Sequence, residues 1–328
     1  MDDGYTATGS APGTLLPPGG IGEPPPPGLH VLHRRRRLGA LAGVAAVALV
    51  LGIAVGALTG HGAAAGEAAG GVGHAQLQPV KALARGKSAT MSAVAQRAAE
   101  NAAINRTLAY TPYVRIAGAQ HRELALTFDD GPGPYTPAIL RVLRRLRAPA
   151  TFFEVGIEDQ YFAASTAAIV AAGDPVGDHT ETHAPMSRLS RRLQRRELLE
   201  QADAVGDSGA PFPRLFRPPY GVWDATTLSV LKRYRMLMVL WSVDTSDYQR
   251  PGVATIVQRA LDGARPGAII LLHDAGGNRS ETVAALPRII RRLRARGYRL
   301  VTVPRLLLDN PAPKDQNVAA YAFAGNGG

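Results

Sequence analysis

Apolar residues stand at every second position at Leu124, Leu126 and Phe128, the period of a strand buried on one face, and Gly131-Pro132 stops the run. A helical period follows at Ile139, Leu140, Leu143 and Leu146, within a predicted helix over 137–146, and residues 150–155 read as the next strand. Ser190 is placed to cap a helix through about Val205. Residues 239–243 read as a strand, 251–261 as a helix, 268–272 as an uninterrupted apolar strand, 281–296 as a helix and 298–303 as a strand. Strand followed repeatedly by helix predicts an α/β fold around a parallel sheet, and about 200 residues are ample for one core.

The N-terminal third has a different pattern. Residues 1–33 are rich in Gly and Pro, with Pro24 to Pro27 consecutive, and are expected to form a disordered cytoplasmic tail. Arg34 to Arg37 then abut residues 38–58, an uncharged stretch of 21 residues. At 1.5 Å per residue that stretch spans roughly the 30 Å hydrocarbon core of a bilayer. Together, 34–58 read as a basic flank and a single transmembrane signal anchor, with the N-terminus cytoplasmic and the rest of the chain extracytoplasmic at the cell membrane. Secretion after cleavage near Ala63-Ala64-Ala65-Gly66 is the alternative, disfavoured by the long head before the apolar stretch. Residues 59–109 read as an Ala/Gly-rich linker or flexible stalk with a helix over 90–109, residues 110–308 as the catalytic domain, and 309–328 as a disordered tail.

The formal net charge of +11 invites a nucleic-acid reading. Its basic residues lie beside the apolar stretch and as pairs on helices, such as Arg144-Arg145, Arg195-Arg196 and Arg291-Arg292, where solvated faces explain them. No nucleic-acid motif accompanies them, so no nucleic acid and no protein partner is expected. With no cysteine, thiolate and disulfide chemistry are excluded.

The chemistry concentrates at strand ends. Asp129 and Asp130 close the first strand, where successive side chains point different ways and two carboxylates can divide the work of holding a cation and moving a proton. Alone, the pair also reads as a solvated turn. His179 and His183 lie four residues apart, the spacing of one helical turn, so both rings can face one cation; with Asp130 they compose a two-His, one-carboxylate set. The H-E-x-x-H pattern does not apply, since Thr180 holds its second position. Phe216-Arg217-Pro218-Pro219-Tyr220-Gly221 is an extended arm or rigid connector. Asp244 and Asp247 follow another strand and also read as a capped turn, while His273 ends the 268–272 run and alone reads as a packed core histidine.

In order, these blocks resemble the polysaccharide deacetylase family, the NodB-homology domains or family 4 carbohydrate esterases. T-F-D-D-G-P stands as Thr127 to Pro132, H-[ST]-x-x-H as His179 to His183, and R-x-P-Y as Arg217 to Tyr220. D-x-x-D-W stands as Asp244 to Tyr248 with Tyr for Trp, and L-x-H as Leu271 to His273. The resemblance covers residues from about 110 to 305. It implies a distorted (β/α) barrel with fewer than eight regular units. It further implies that Asp130, His179 and His183 bind a divalent metal, Zn2+ in most relatives, that Asp129 is the general base and that Arg217 orients it. His273 would be the general acid tuned by Asp247, Tyr220 would offer its backbone N–H to the oxyanion, and Leu271 and Tyr248 would line the acetyl pocket. The implied activity is removal of N-acetyl groups from an extracytoplasmic polysaccharide, peptidoglycan or a chitin-like polymer. An O-acetyl esterase with the same site and a non-catalytic glycan-binding scaffold are the alternatives. Asp178, often Asn in relatives, reads as a turn or cap, with a direct ligand role as the minor reading.

Overall fold

The computed structural model describes residues 77–318. In chain order the elements are α1 (Leu77–Leu108), β1 (Tyr113–Val114), β2 (Glu123–Asp129), α2 (Thr136–Leu146), β3 (Thr151–Glu154), α3 (Gly156–Ala172), β4 (Val176–Asp178), α4 (Arg191–Asp207) and β5 (Leu215–Phe216). There follow α5 (Ala225–Tyr234), β6 (Leu237–Val239), β7 (Val243–Asp244), α6 (Val253–Asp262), β8 (Ile269–His273), α7 (Ser280–Ala295), β9 (Arg299–Leu300) and α8 (Val303–Asp309). The strands pair in the order β1-β6-β5-β4-β3-β2-β8-β7, with β9 against β2, and every ladder between them is parallel.

Each strand sorts its side chains by the period of two. In β2, Leu124, Leu126 and Phe128 face the helices, in one cluster with Phe152, Ile270, Leu272 and the buried faces of α2, α6 and α7. The Phe128 and Phe152 rings stack at 5.2 Å, a pairing worth about 0.5–1.5 kcal/mol beyond the area it buries. Ala125 turns the other way, into a second cluster with Phe153, Val239 and Ile269. Thr127 and Asp129 continue that concave face, as Leu271 and His273 do on β8. The alternation therefore delivers chemistry to one side and core to the other.

Helix signals in the sequence match closely. The Ser190 hydroxyl accepts from Leu193 N at 3.5 Å and starts α4. A capping box between Asp224 and Thr227, unread in the sequence, starts α5.

The structure departs from several expectations. Among the described residues β1 and β7 do not pair with each other, so the sheet is a curled half-barrel rather than a distorted barrel; each of these end strands is only two residues long. The strand expected over 239–243 is two strands, because the chain leaves the β5 and β1 side after Val239 and rejoins the sheet beside β8 at Val243.

Residues up to 109 are not all stalk, nor are those after 309 all disordered tail. Helix α1 is longer than the expected 90–109 segment, and its Ala103 and Ile104 are buried, Ile104 in a cluster with Leu306 and Leu307 of α8. Past α8, Asn310 donates to Glu123 Oε2 at 2.9 Å, and Gln316 Oε1 accepts from Arg115 N and Ile116 N at 2.8 and 3.1 Å. The Gln316 contacts cap backbone donors just past β1, which a disordered tail would not do.

The expected membrane anchor is also corrected. Among the described residues no helix is long and apolar enough to cross a membrane. The longest, α1, carries Lys81, Arg85, Lys87, Arg97, Glu100 and Arg106. Residues 38–58, which carried the expectation, lie outside the described residues, as do the rest of 1–76 and 319–328. The transmembrane helix, the membrane as partner and the localisation at the cell membrane all rested on that stretch and are not supported by the structure.

Candidate active site

Asp129 ends β2 on the concave face, buried at 3% exposure. Arg217, which follows β5 and is fully buried, donates through Nη1 to Asp129 Oδ1 at 2.6 Å and to Thr127 Oγ1 at 2.8 Å. Its Nε and Nη2 reach the carbonyls of Val239 and Leu240 at 2.9 and 3.3 Å. The guanidinium also lies 4.1 Å from the centre of the Phe153 ring. One side chain thus fixes the strand-end carboxylate and satisfies the carbonyls where the chain leaves β6. A planar fork of five donors can do this; a lysine ammonium cannot.

The next residue, Asp130, has φ 71°, and the Asp129-Asp130-Gly131 turn is packed from behind by Asp274. A Cβ on Gly131 would meet the Asp274 carboxylate oxygens at 2.5 and 2.6 Å, so the turn has room only for glycine. Thr136 donates to Asp274 Oδ2 and accepts from Gly133 N at 2.8 Å.

His179 and His183 are not on a helical turn. They sit in the loop after β4, and positive φ at Thr180 (69°) and His183 (58°) brings the rings to 5.0 Å between centres. The expected meeting occurs for a different reason, since left-handed backbone supplies what helix spacing was thought to supply. Asp178 Oδ1 accepts from Thr180 N at 2.7 Å, the turn role expected of it, and burial pushes its carboxyl up against that hydrogen bond.

His179 Nε2 and His183 Nε2 lie 3.6 and 3.2 Å from Asp130 Oδ1. Both Nδ1 atoms are taken, at 2.7 Å by the Arg217 carbonyl and at 3.1 Å by the Tyr220 hydroxyl, which leaves both Nε2 lone pairs facing inward. Burial alone would raise the Asp130 carboxyl, but the two imidazoles and the charge of His273 hold it well below the usual carboxylate range. One ligand atom from each of the three residues falls within 4.8 Å of the others. Two imidazole nitrogens and one ionised carboxylate oxygen fit a divalent metal with positions left open.

Across the cleft, Asp247 Oδ1 meets His273 Nδ1 at 2.7 Å, while its Oδ2 accepts from His273 N at 2.9 Å and Thr282 Oγ1 at 2.7 Å. Burial disfavours the imidazolium, yet the Asp247 hydrogen bond and charge, aided by Asp130 and Asp129, push His273 up to about 9. The same pairing, against burial, keeps the Asp247 carboxyl low. The Tyr248 ring stands edge-on to His273 at 5.4 Å.

These groups open on one cleft of about 660 Å³, whose lining includes every expected site residue except the buried Arg217 and Asp247 that hold them from behind. The lining also includes residues the sequence reading missed, among them Trp241, Glu158 and Arg279. Trp241 is one of two tryptophans in the chain and lies just before the Asp244 to Tyr248 motif, which was a usable signal. Arg279, buried, donates to the carbonyls of Ala275 and Gly276 at 2.6 and 2.7 Å, a role with no short motif to announce it.

A family model described as polysaccharide deacetylase matches residues 117–239. A peptidoglycan-N-acetylglucosamine deacetylase from Bacillus cereus is 39% identical over 187 residues, covering 56% of this chain and 87% of that protein. A chitooligosaccharide deacetylase from Sinorhizobium fredii is 37% identical over 212 residues, 61% of this chain and 99% of that protein. Among solved structures, a peptidoglycan N-acetylglucosamine deacetylase complex superposes with a TM-score of 0.58 at 31% identity, covering 62% of this chain and 95% of that one.

Proposed function

Because this chain belongs to the polysaccharide deacetylase family of NodB-homology, family 4 carbohydrate esterases, we propose that its cleft hydrolyses N-acetyl amides with Asp129 as base and His273 as acid. The enzyme is a metal-dependent deacetylase of N-acetylated sugars, of the peptidoglycan or chito-oligosaccharide kind. The observation that carries the assignment of roles is the convergence of two buried dyads, Arg217–Asp129 and Asp247–His273, on one cleft with the Asp130, His179, His183 triad.

The metal is zinc in this reading, an ion that suits two imidazoles, one carboxylate and open positions and that most relatives are expected to carry. When bound, it acts as a Lewis acid on the acetyl carbonyl and makes water a stronger nucleophile near neutral pH. Asp129 Oδ1 is held by Arg217, so Oδ2, 3.8 Å from His179 Nε2, is the oxygen that takes the proton of the attacking water. Tyr220 offers its backbone N–H to the developing oxyanion, a contribution of about 3 kcal/mol. His273 Nδ1 is held by Asp247, so Nε2 delivers the proton to the departing sugar nitrogen. Leu271 and Tyr248 wall the place of the acetyl methyl group.

The test is acetate release by the full chain from N-acetylated peptidoglycan and from N-acetylglucosamine oligomers, with zinc, with chelator and with His179→Ala. Acetate with equimolar new amine, lost on chelation and in the variant, is the expected result. Acetate only from O-acetylated glycan, leaving free hydroxyls, would replace the reading with an esterase. Binding without release would replace it with a scaffold.

A further inference from the structure

We infer that the Tyr220 phenol, separately from its backbone N–H, orients His183 as a metal ligand. The inference rests on the metal reading of Asp130, His179 and His183.

A neutral imidazole carries one N–H. For Nε2 to present a lone pair to a cation, the proton must sit on Nδ1 and needs an acceptor there. His179 has a rigid one, the Arg217 carbonyl at 2.7 Å in a fully buried setting. His183 is more open, its side chain 28% exposed, and the group at its Nδ1 is the Tyr220 hydroxyl at 3.1 Å. The two rings meet edge to face, 4.7 Å between centres and 64° between planes. Tyr220 is 68% exposed, so core packing does not place its ring.

The backbone points the same way. His183 has φ 58° and Tyr220 φ 59°. Left-handed backbone at residues other than glycine costs roughly 1–3 kcal/mol each and persists where the surroundings demand it. Here both strained residues sit in different loops, one after β4 and one after β5, and their side chains converge on each other. With Nδ1–H donating to the phenol oxygen, the phenol O–H is directed outward to whatever occupies the cleft, and successive hydrogen bonds of this kind strengthen one another.

The experiment measures the zinc dissociation constant of the full chain by competition with a chromophoric chelator, for wild type, Tyr220→Phe and His183→Ala. It is paired with nitrogen NMR of the zinc-loaded imidazoles. Tyr220→Phe keeps the ring and the backbone N–H and removes only the hydroxyl, and zinc affinity reads its acceptor side. It is expected to weaken zinc binding about 10- to 100-fold and to shift the His183 ring signals while those of His179 stay in place. A dissociation constant within about twofold of wild type, with His183→Ala still weakening zinc strongly, would overturn the phenol's role and leave the metal site standing. Equal shifts in both histidines would overturn it too, by showing a general loosening. Should His183→Ala itself leave zinc binding intact, the failure lies in the metal reading beneath.

Discussion

Arg217 Nη1 and Asp129 Oδ1 stand 2.6 Å apart, with the guanidinium fully buried and the carboxylate nearly so. A charge pair so enclosed is held by geometry rather than by long-range attraction, and Arg217 adds bonds to Thr127, Val239 and Leu240. Arg217→Lys keeps the charge but cannot span these acceptors, and is expected to lower kcat/KM by about 100-fold or more through a misplaced base. Arg217→Met leaves Asp129 without that cation and is expected to destabilise the fold by about 3–5 kcal/mol in denaturant titration. A folded Arg217→Lys enzyme with unaltered kcat/KM would remove Arg217 from the catalytic apparatus.

Burial lowers His273, but the Asp247 hydrogen bond and charge outweigh that and push it up to about 9, so the acid role proposed for it predicts an alkaline limit on activity. Its folded value lies above its ordinary 6.5, so the stability it contributes is full below 6.5 and is lost as pH rises through about 9. A dication bound in the folded site would lower the folded value, and with it the alkaline limit, by repelling the imidazolium, while the unfolded 6.5 stays in place. Asp247→Asn removes the largest raising partner and leaves burial opposed only by the charges of Asp130 and Asp129. The alkaline limb of the kcat/KM profile of the zinc-loaded enzyme should move down by about 1 pH unit or more. A limb that stays put, or moves up, would count against His273 as the acid.

Asp274 carries a different pH signature. Burial pushes its carboxyl up to about 7 even though Thr136 donates to it, and Asp130 and Asp129 add to the rise. Its folded value exceeds its ordinary 3.8, so across that window the native state keeps a proton the unfolded chain has released, and stability falls as pH rises. Asp274→Asn keeps the shape and abolishes that dependence. The melting temperature of the variant relative to wild type should therefore climb from about pH 5 to about pH 8, by roughly 2–4 °C for each kcal/mol removed. A constant difference across that range would show that Asp274 ionises like a solvated carboxylate.

Tyr248 occupies the position where relatives with the D-x-x-D-W motif carry tryptophan, and its ring leans edge-on against His273. Tyr248 and Leu271 both line the cleft, and in the acetyl-pocket role proposed for them a phenol leaves more room than an indole. Tyr248→Trp should lower the ratio of N-propionyl to N-acetyl turnover on the same oligosaccharide by about 10-fold, the discrimination one methylene can support. Equal ratios in the two enzymes would place the acyl pocket elsewhere.

Much of the site was legible because strand periodicity is local. Once Leu124, Leu126 and Phe128 are assigned to one face, Thr127 and Asp129 must share the other, and the end of the apolar run places His273 in the same way. The His179 and His183 pair was legible as a pair but not as a geometry: spacing suggested a helical turn, whereas left-handed Thr180 and His183 do the work. Those conformations depend on contacts such as Asp178 Oδ1 with Thr180 N and Tyr220 with His183, which sequence spacing does not encode.

The sequence by itself determined the alternation of strand and helix, the parallel sheet, the family motifs and the residue types able to bind a metal and move protons, because these follow from periodicity and side-chain chemistry near in the chain. Only the tertiary structure decided that the sheet is a half-barrel, that Arg217 binds the carbonyls where the chain leaves β6, that α1 and the segment after α8 belong to the domain, and that Asp274 lies behind the Asp129-Asp130-Gly131 turn. Each of these joins groups up to some two hundred residues apart, as Gln316 does with Arg115. Their energies arise from burial and hydrogen bonds that exist only once the chain has closed on itself.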